Sequence, residues 1–333
     1  MIKKNGPQKF TGSSISECIR EKQNTDMRRL AEAFGKASWK FLVLMMFCSS
    51  ISTAAEFNIF QLKPEFGLGI TIYISGQLQP GDFDRFIKTS IMTLERIEQH
   101  KDQSQGVLVV IDSNGGDIQE AMKIGRAIRA MRMDTRIGNK SIFPIKGNEA
   151  KCVSACFFVL VAGSNRSGPY ESEESQPGDT TNFVREILAV HRPYFEASYF
   201  ASLSADAAAA KYAQLIDESN RYLSEMGVSN ALVSKIFSVP SSQVLEVSAE
   251  EFKRDVGNMP YVEEWIIASC GEDLTGKEMK DLLAYFFDKS DGRTPGISDG
   301  YASYLENKEK KYKSCYKSTW STEQNKAMRK YLR

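Results

Sequence analysis

The chain changes its hydrophobic rhythm several times, and each change predicts an element. Leu68-Gly-Ile-Thr-Ile-Tyr-Ile-Ser75 alternates in the manner of a strand and stops at Gly76. From Gly81 to His100 the spacing becomes helical, with Phe83, Phe86, Ile87, Ile91, Leu94 and Ile97 on one face. Gly106-Val-Leu-Val-Val-Ile-Asp112 is a continuous apolar run, as in a strand covered on both faces of a parallel sheet. Ser113-Asn-Gly-Gly116 breaks it, and residues 117–132 resume as a helix with Ile118, Met122, Ile124, Ala127, Ile128 and Met131 in its apolar stripe. A strand is predicted over 135–145. Cys152-Val-Ser-Ala-Cys-Phe-Phe-Val-Leu-Val-Ala162, closed by Gly163, reads as a buried helix. A polar loop or lid follows over 164–185, and a short strand through Ile187, Leu188 and Val190 delivers His191-Arg-Pro193.

Strand and helix in alternation build right-handed crossover units, which places the chain in the α/β class. The second half is helical. Ser204 is the expected N-cap of a helix to about Met226, with Tyr212, Leu215, Ile216 and Leu223 facing inward, and two shorter helices span about 229–238 and 248–255. Gly257-Asn-Met-Pro260 ends this region. Beyond 261 the sequence turns rich in Lys and Tyr, and its pattern supports helical pieces only. The expected organisation is therefore a leader over 1–55, an α/β domain over 56–260 and a C-terminal helical extension over 261–333.

The leader is read from residues 41–55, an apolar run preceded by Lys36 and Lys40 and ended by small residues around Ser52-Thr-Ala-Ala55. That grammar fits a signal peptide, and the run is short for a span of about 20 residues. It implies an exported or periplasmic protein, held to the membrane through 41–55 if the leader is not cleaved. Met27-Arg28-Arg29 would give the same run a conventional basic start.

Charge narrows the partners. Forty-three basic against 42 acidic residues leave a formal charge of +1, which offers nucleic acid no overall basic field. Two histidines, His100 and His191, and cysteines without metal-site spacing give no metal centre, and no cofactor is expected. Cys270 and Cys315 are free to pair in an oxidising compartment and would staple the extension. Cys152 and Cys156, four apart, read as buried free thiols.

Acyl transfer needs a nucleophile, a base and backbone N–H groups where the oxyanion forms. Ser154, at the start of a buried helix, supplies a hydroxyl on a turn with the Ala155 N–H beside it; Gly115-Gly116 lets a second amide approach; His191 ends a strand of the same presumed sheet. These pieces have a familiar order. Ile74-Ser-Gly-Gln-Leu78, Asp112-Ser-Asn-Gly-Gly116, Ala121 with Ile124-Gly125, Cys152-Val-Ser-Ala-Cys156 with Ala162-Gly163 and Arg166, and Val190-His-Arg-Pro193 together resemble the ClpP serine protease family over about residues 69–260.

The resemblance implies a ClpP/crotonase-type spiral of ββα units and the look of exported bacterial ClpP-like proteins. It makes Ser154 the nucleophile, His191 the base, and the Gly116 and Ala155 amides the oxyanion hole of an enzyme acting on peptide or protein. It also makes the 204–226 helix a handle, through which a homo-oligomer would form. Two positions depart from the family pattern. Aligning on Ser248-Ala-Glu-Glu251 puts Val244 where the third catalytic Asp is expected, so orientation of the imidazole falls to Glu246, to Asp217, to a backbone carbonyl or to nothing; Asn114 stands where the family has Pro. A peptide-binding or assembly module without catalysis is the alternative reading. A crotonase-like acyl-CoA enzyme is a third, disfavoured by export and by the lack of a basic cluster for the nucleotide.

Overall fold

The computed structural model describes residues 54–61, 69–99, 106–138, 149–169, 185–195, 197–257 and 259–333. Within these the chain is mixed α/β. The leader before residue 54, most of the 164–185 loop and His100 lie outside the described residues. Among the described residues no helix is long and apolar enough to cross a membrane.

A five-stranded sheet is built from β1 (Glu56–Gln61), β2 (Ile70–Ser75), β3 (Val107–Asp112), β4 (Asp134–Ile137) and β6 (Arg166–Ser167), in that spatial order. The pair β1 and β2 is antiparallel and the rest are parallel. Strand β3 lies in the middle of the sheet, with Val107, Val109 and Ile111 buried on one face and Leu108 and Val110 only half-buried on the other, so the expected full cover of both faces is not met. Helix α1 (Asp82–Gln99) connects β2 to β3, and α2 (Ile118–Ala130) connects β3 to β4. Their inward stripes, including Phe86, Leu94, Ile124 and Ile128, are buried in one core with Ile72, Val109 and Ile111.

A second, three-stranded sheet holds β5 (Glu149–Val153), β7 (Arg185–Val190) and β8 (Leu245–Glu246). Parallel pairing of Ser113 with Cys152 joins the two sheets where β3 ends. Two expectations change here. The apolar run 152–162 is not one helix: Cys152 and Val153 finish β5, and only Cys156–Leu160 forms helix α3. Nor are Cys152 and Cys156 free thiols, because they are bonded to each other with Cα atoms 5.2 Å apart. The turn between strand and helix brings the two side chains together.

Short helix α4 (Ala197–Phe200) leads to α5 (Ala205–Glu225), capped by Ser204, whose hydroxyl accepts from the Ala207 N–H. Tyr222 of α5 docks it to the core, donating to the Phe158 carbonyl at 2.5 Å. That approach needs Gly125 on α2, since a Cβ there would sit within bonding distance of the Tyr222 hydroxyl. Helices α6 (Asn230–Ser238) and α7 (Ala249–Asp255) are likewise capped by serines, Ser229 and Ser248.

The extension forms α8 (Pro260–Cys270), α9 (Gly276–Ser290) and the 34-residue α10 (Asp299–Leu332). Cys270 and Cys315 are disulfide-bonded across α8 and α10. The last turns of α10 return to the main sheet: Gln324 Oε1 accepts from the Val107 N–H at 2.8 Å, Met328 enters the main core, and Arg329 and Arg333 both pair with Glu98.

Trp320 of α10 donates to both carboxylate oxygens of Asp134 at 3.2 Å, and Asn165 donates to the same group through its backbone and side chain. Asp134 lines a cavity of about 1030 Å³ at the N-terminal ends of β2–β4, under α8 and α10. Burial is the main influence on this carboxyl and pushes it up to about 6. The folded protein therefore holds this proton more tightly than the unfolded chain. Its contribution to stability is full below about pH 4 and is lost as pH rises to about 6, by up to about 3 kcal/mol. We expect urea midpoints measured from pH 4 to pH 7 to show this decline in the native protein and to lose it in Asp134→Asn.

Candidate active site

The site is built where β3, β5 and β7 end. Strands β5 and β7 are parallel with Val153 paired to Ala189, so Ser154 and His191, the next residues beyond Val153 and Val190, emerge from neighbouring strand ends. The Ser154 N–H donates to the Ala189 carbonyl at 2.9 Å, which ties the serine's backbone to the strand that carries the histidine.

Ser154 has φ +56°, one of two non-glycine residues with positive φ among the described residues. Such a backbone costs on the order of 1 kcal/mol and occurs where the surroundings over-determine it, often at functional turns. Its carbonyl accepts from the Phe157 N–H at 3.0 Å, which starts the α3 turn.

The glycine loop after β3 packs directly on this elbow. A Cβ on Gly115 would lie 2.8 Å from the Ser154 Cβ, 2.7 Å from the Val153 carbonyl and 3.0 Å from the Ala155 nitrogen. Gly116, at φ +123°, would meet the Leu78 carbonyl at 2.1 Å. Both glycines are thus required by space as well as conformation. Leu78 bridges to Gly116, its N–H donating to the Gly115 carbonyl and its carbonyl accepting from Asp117. The Gly115 N–H is taken by the Ser113 hydroxyl and the Asp117 N–H by the Leu78 carbonyl, and among the described residues the Gly116 and Ala155 N–H groups have no protein acceptor. Two unspent amides therefore flank Ser154, the arrangement an oxyanion hole needs.

Ser113 and Asp112 hold this loop, a role that the sequence pattern did not single out. The Ser113 hydroxyl donates to the Gly76 carbonyl at 2.5 Å and accepts from the Gly115 N–H at 3.1 Å. Asp112 accepts from Tyr73 and from the Lys151 backbone, knitting β2, β3 and β5 together.

His191 is half-buried, and its Nδ1 lies 2.9 Å from the Arg192 carbonyl. A carbonyl can only accept, so Nδ1 carries the hydrogen and Nε2 is left as the basic nitrogen. The backbones of Ser154 and His191 leave neighbouring strand ends, and the two side chains are not hydrogen-bonded to each other. Tyr194 lies beside the imidazole with ring centroids 5.4 Å apart, an aromatic neighbour that the sequence analysis missed although it is only three residues on.

Glu246 is bound by Arg185 at 3.2 Å, and Asp217 is exposed on α5. Strand β8 runs antiparallel to β7 with Leu245 opposite Val190 as the last pair of the ladder, and Val244 and His191 are the next residues, one beyond each strand end. Val244 is 60% exposed. Among the described residues no cluster of His, Cys, Asp and Glu could hold a metal ion.

Gly115→Ala tests the packing of this loop. The added methyl must displace the elbow or the loop, and we expect a loss of at least about a hundredfold in any activity of Ser154, since misplacement by 1 Å can cost that much. Kinetics on protein shown to be folded by circular dichroism would read it.

No model of a known protein family matches the chain, and no curated protein does. A solved ClpP structure is similar. It is a ClpP1 mutant from Listeria monocytogenes, 16% identical, and the match covers 55% of this chain and 85% of that one with a TM-score of 0.36.

Proposed function

We propose that this chain is an exported serine hydrolase of the ClpP/crotonase type, a peptidase with Ser154 as nucleophile and His191 as general base. The observation that carries the reading is the placement of Ser154 at a positive-φ elbow, on the strand end next to that of His191 and against Gly115-Gly116. In the acylation step Nε2 of His191 takes the Ser154 proton as Oγ bonds to the substrate carbonyl carbon. The developing oxyanion is held by the Gly116 and Ala155 amides. The imidazolium then protonates the leaving amine as the C–N bond breaks. Water attacks the acyl-enzyme with His191 again as base, and the acid departs from Ser154. The substrate is a peptide or protein, the 205–225 handle is the surface for homo-oligomers, and residues 41–55 direct export or anchor the chain.

A fluorophosphonate probe tests this directly. It should form an adduct on Ser154 of the folded protein, found by peptide mass mapping, and an unlabelled Ser154 would overturn the proposal. A second reading, a peptide-binding module without catalysis, is favoured by Val244, an apolar residue next to the last pair of the β7–β8 ladder where an orienting carboxylate would be needed. It predicts peptide affinity that Ser154→Ala leaves intact, with no turnover.

A further inference from the structure

We propose that the Cys152–Cys156 disulfide is a positioning element for Ser154, and that presentation of this hydroxyl depends on the two sulfurs staying bonded. The inference rests on the reading of Ser154 as nucleophile. The bond joins the penultimate residue of β5 to the first residue of α3, and Ser154 is the middle residue of the five that it encloses.

The geometry gives the crosslink its effect. Four residue steps of extended chain would separate the two Cα atoms by roughly 13 Å. The disulfide holds them at 5.2 Å, a separation that only a sharp turn at residues 153–155 can provide. Ser154 adopts a backbone conformation that L-residues avoid, and without the crosslink the turn could relax by letting Ser154 return to negative φ. Two backbone hydrogen bonds oppose that relaxation, Ser154 N–H to Ala189 and Phe157 N–H to Ser154. Each fixes one side of the residue. The disulfide spans both sides and sets the angle between strand and helix.

The same bond also reaches the oxyanion loop. Cys152 is the residue paired with Ser113, whose N–H and carbonyl bond to Lys151 and Val153, and whose hydroxyl accepts from the Gly115 amide. A shift of Cys152 therefore moves the elbow and the Gly115-Gly116 loop together. Both cysteines are fully buried, so the crosslink is protected in the folded protein. Its loop is far shorter than the 45-residue separation closed by Cys270–Cys315, so its gain from restricting the unfolded chain is the smaller of the two. Local geometry is what it has to offer.

The experiment compares two paired replacements, Cys152→Ala/Cys156→Ala and Cys270→Ser/Cys315→Ser, with the native chain. Three readouts are taken on folded protein: the fluorophosphonate labelling rate at Ser154, kcat and KM on a peptide, and hydrogen exchange of the 150–160 amides. Loss of the first disulfide should slow labelling and kcat by at least about tenfold with KM nearly unchanged, and speed exchange at 153–156 while β3 stays protected. Loss of the second should lower the melting temperature and leave labelling of folded protein within about twofold. If the alanine pair does not fold, the Cys270→Ser/Cys315→Ser protein refolded under a phosphine reductant is read in the same way. Labelling and exchange unchanged by loss of the Cys152–Cys156 bond would overturn the inference. No labelling of the native chain would sink the hydrolase reading instead, and the exchange comparison alone would then decide whether the disulfide holds the elbow.

Discussion

Ser154→Ala should abolish peptide hydrolysis, lowering kcat by at least about a thousandfold, while leaving the melting temperature within a few degrees. Among the described residues the side chain makes no hydrogen bond, so its removal costs the fold little. Alanine also keeps the Cβ that packs against Gly115. His191→Ala should cost a comparable factor. The double replacement should cost little more than either single one, because nucleophile and base act as a unit and their effects do not add. Residual turnover would then report the Gly116 and Ala155 amides alone. Full losses that multiplied in the double variant would show two independent roles, and hydrolysis surviving Ser154→Ala would place the chemistry at another residue.

Much of this arrangement was legible before any coordinates. The strand at 107–112 and the helices around it announced themselves through uninterrupted apolar residues and amphipathic spacing, and Ser204, Ser229 and Ser248 sit as N-caps. The break at Ser154 was harder to see. Cys152–Ala162 is apolar throughout because a buried strand end and a buried helix have the same composition, and periodicity cannot divide them. Misplacing that boundary hid the elbow's disulfide, since residues i and i+4 of a continuous helix have Cβ atoms about 5–6 Å apart, beyond the about 3.5–4.5 Å a disulfide spans. The extension was opaque for a different reason. Most of α10 is exposed and polar, and the buried residues Trp320, Gln324 and Met328 at four-residue spacing mark the face that meets the domain. That spacing was the available signal.

Val244→Asp is expected to raise kcat by at least about tenfold. The native imidazole is oriented by the Arg192 carbonyl, a dipole that fixes the tautomer and offers the imidazolium of the transition state only partial charge. A carboxylate on the same ring nitrogen holds the tautomer equally well and adds a full opposing charge when the proton arrives. In a triad with intact geometry the loss of that carboxylate costs about 10⁴ in turnover, which sets the ceiling for the gain. The position follows from the ladder: its last pair is Val190–Leu245, and Val244 and His191 are the next residues, each one beyond its strand end, so continuing the antiparallel register by one step brings them to face each other. Val244 is 60% exposed, so aspartate can be accommodated without opening a cavity or burying an unpaired charge. Because the carboxylate favours the imidazolium, the acid limb of the kcat/KM profile should also move to higher pH. Val244→Asn separates charge from shape. It can accept from Nδ1 but carries no charge, so it should give a smaller gain and no movement of the acid limb. If aspartate proves no faster than asparagine, Val244 does not face the imidazole, and the Arg192 carbonyl is the whole of the orienting device.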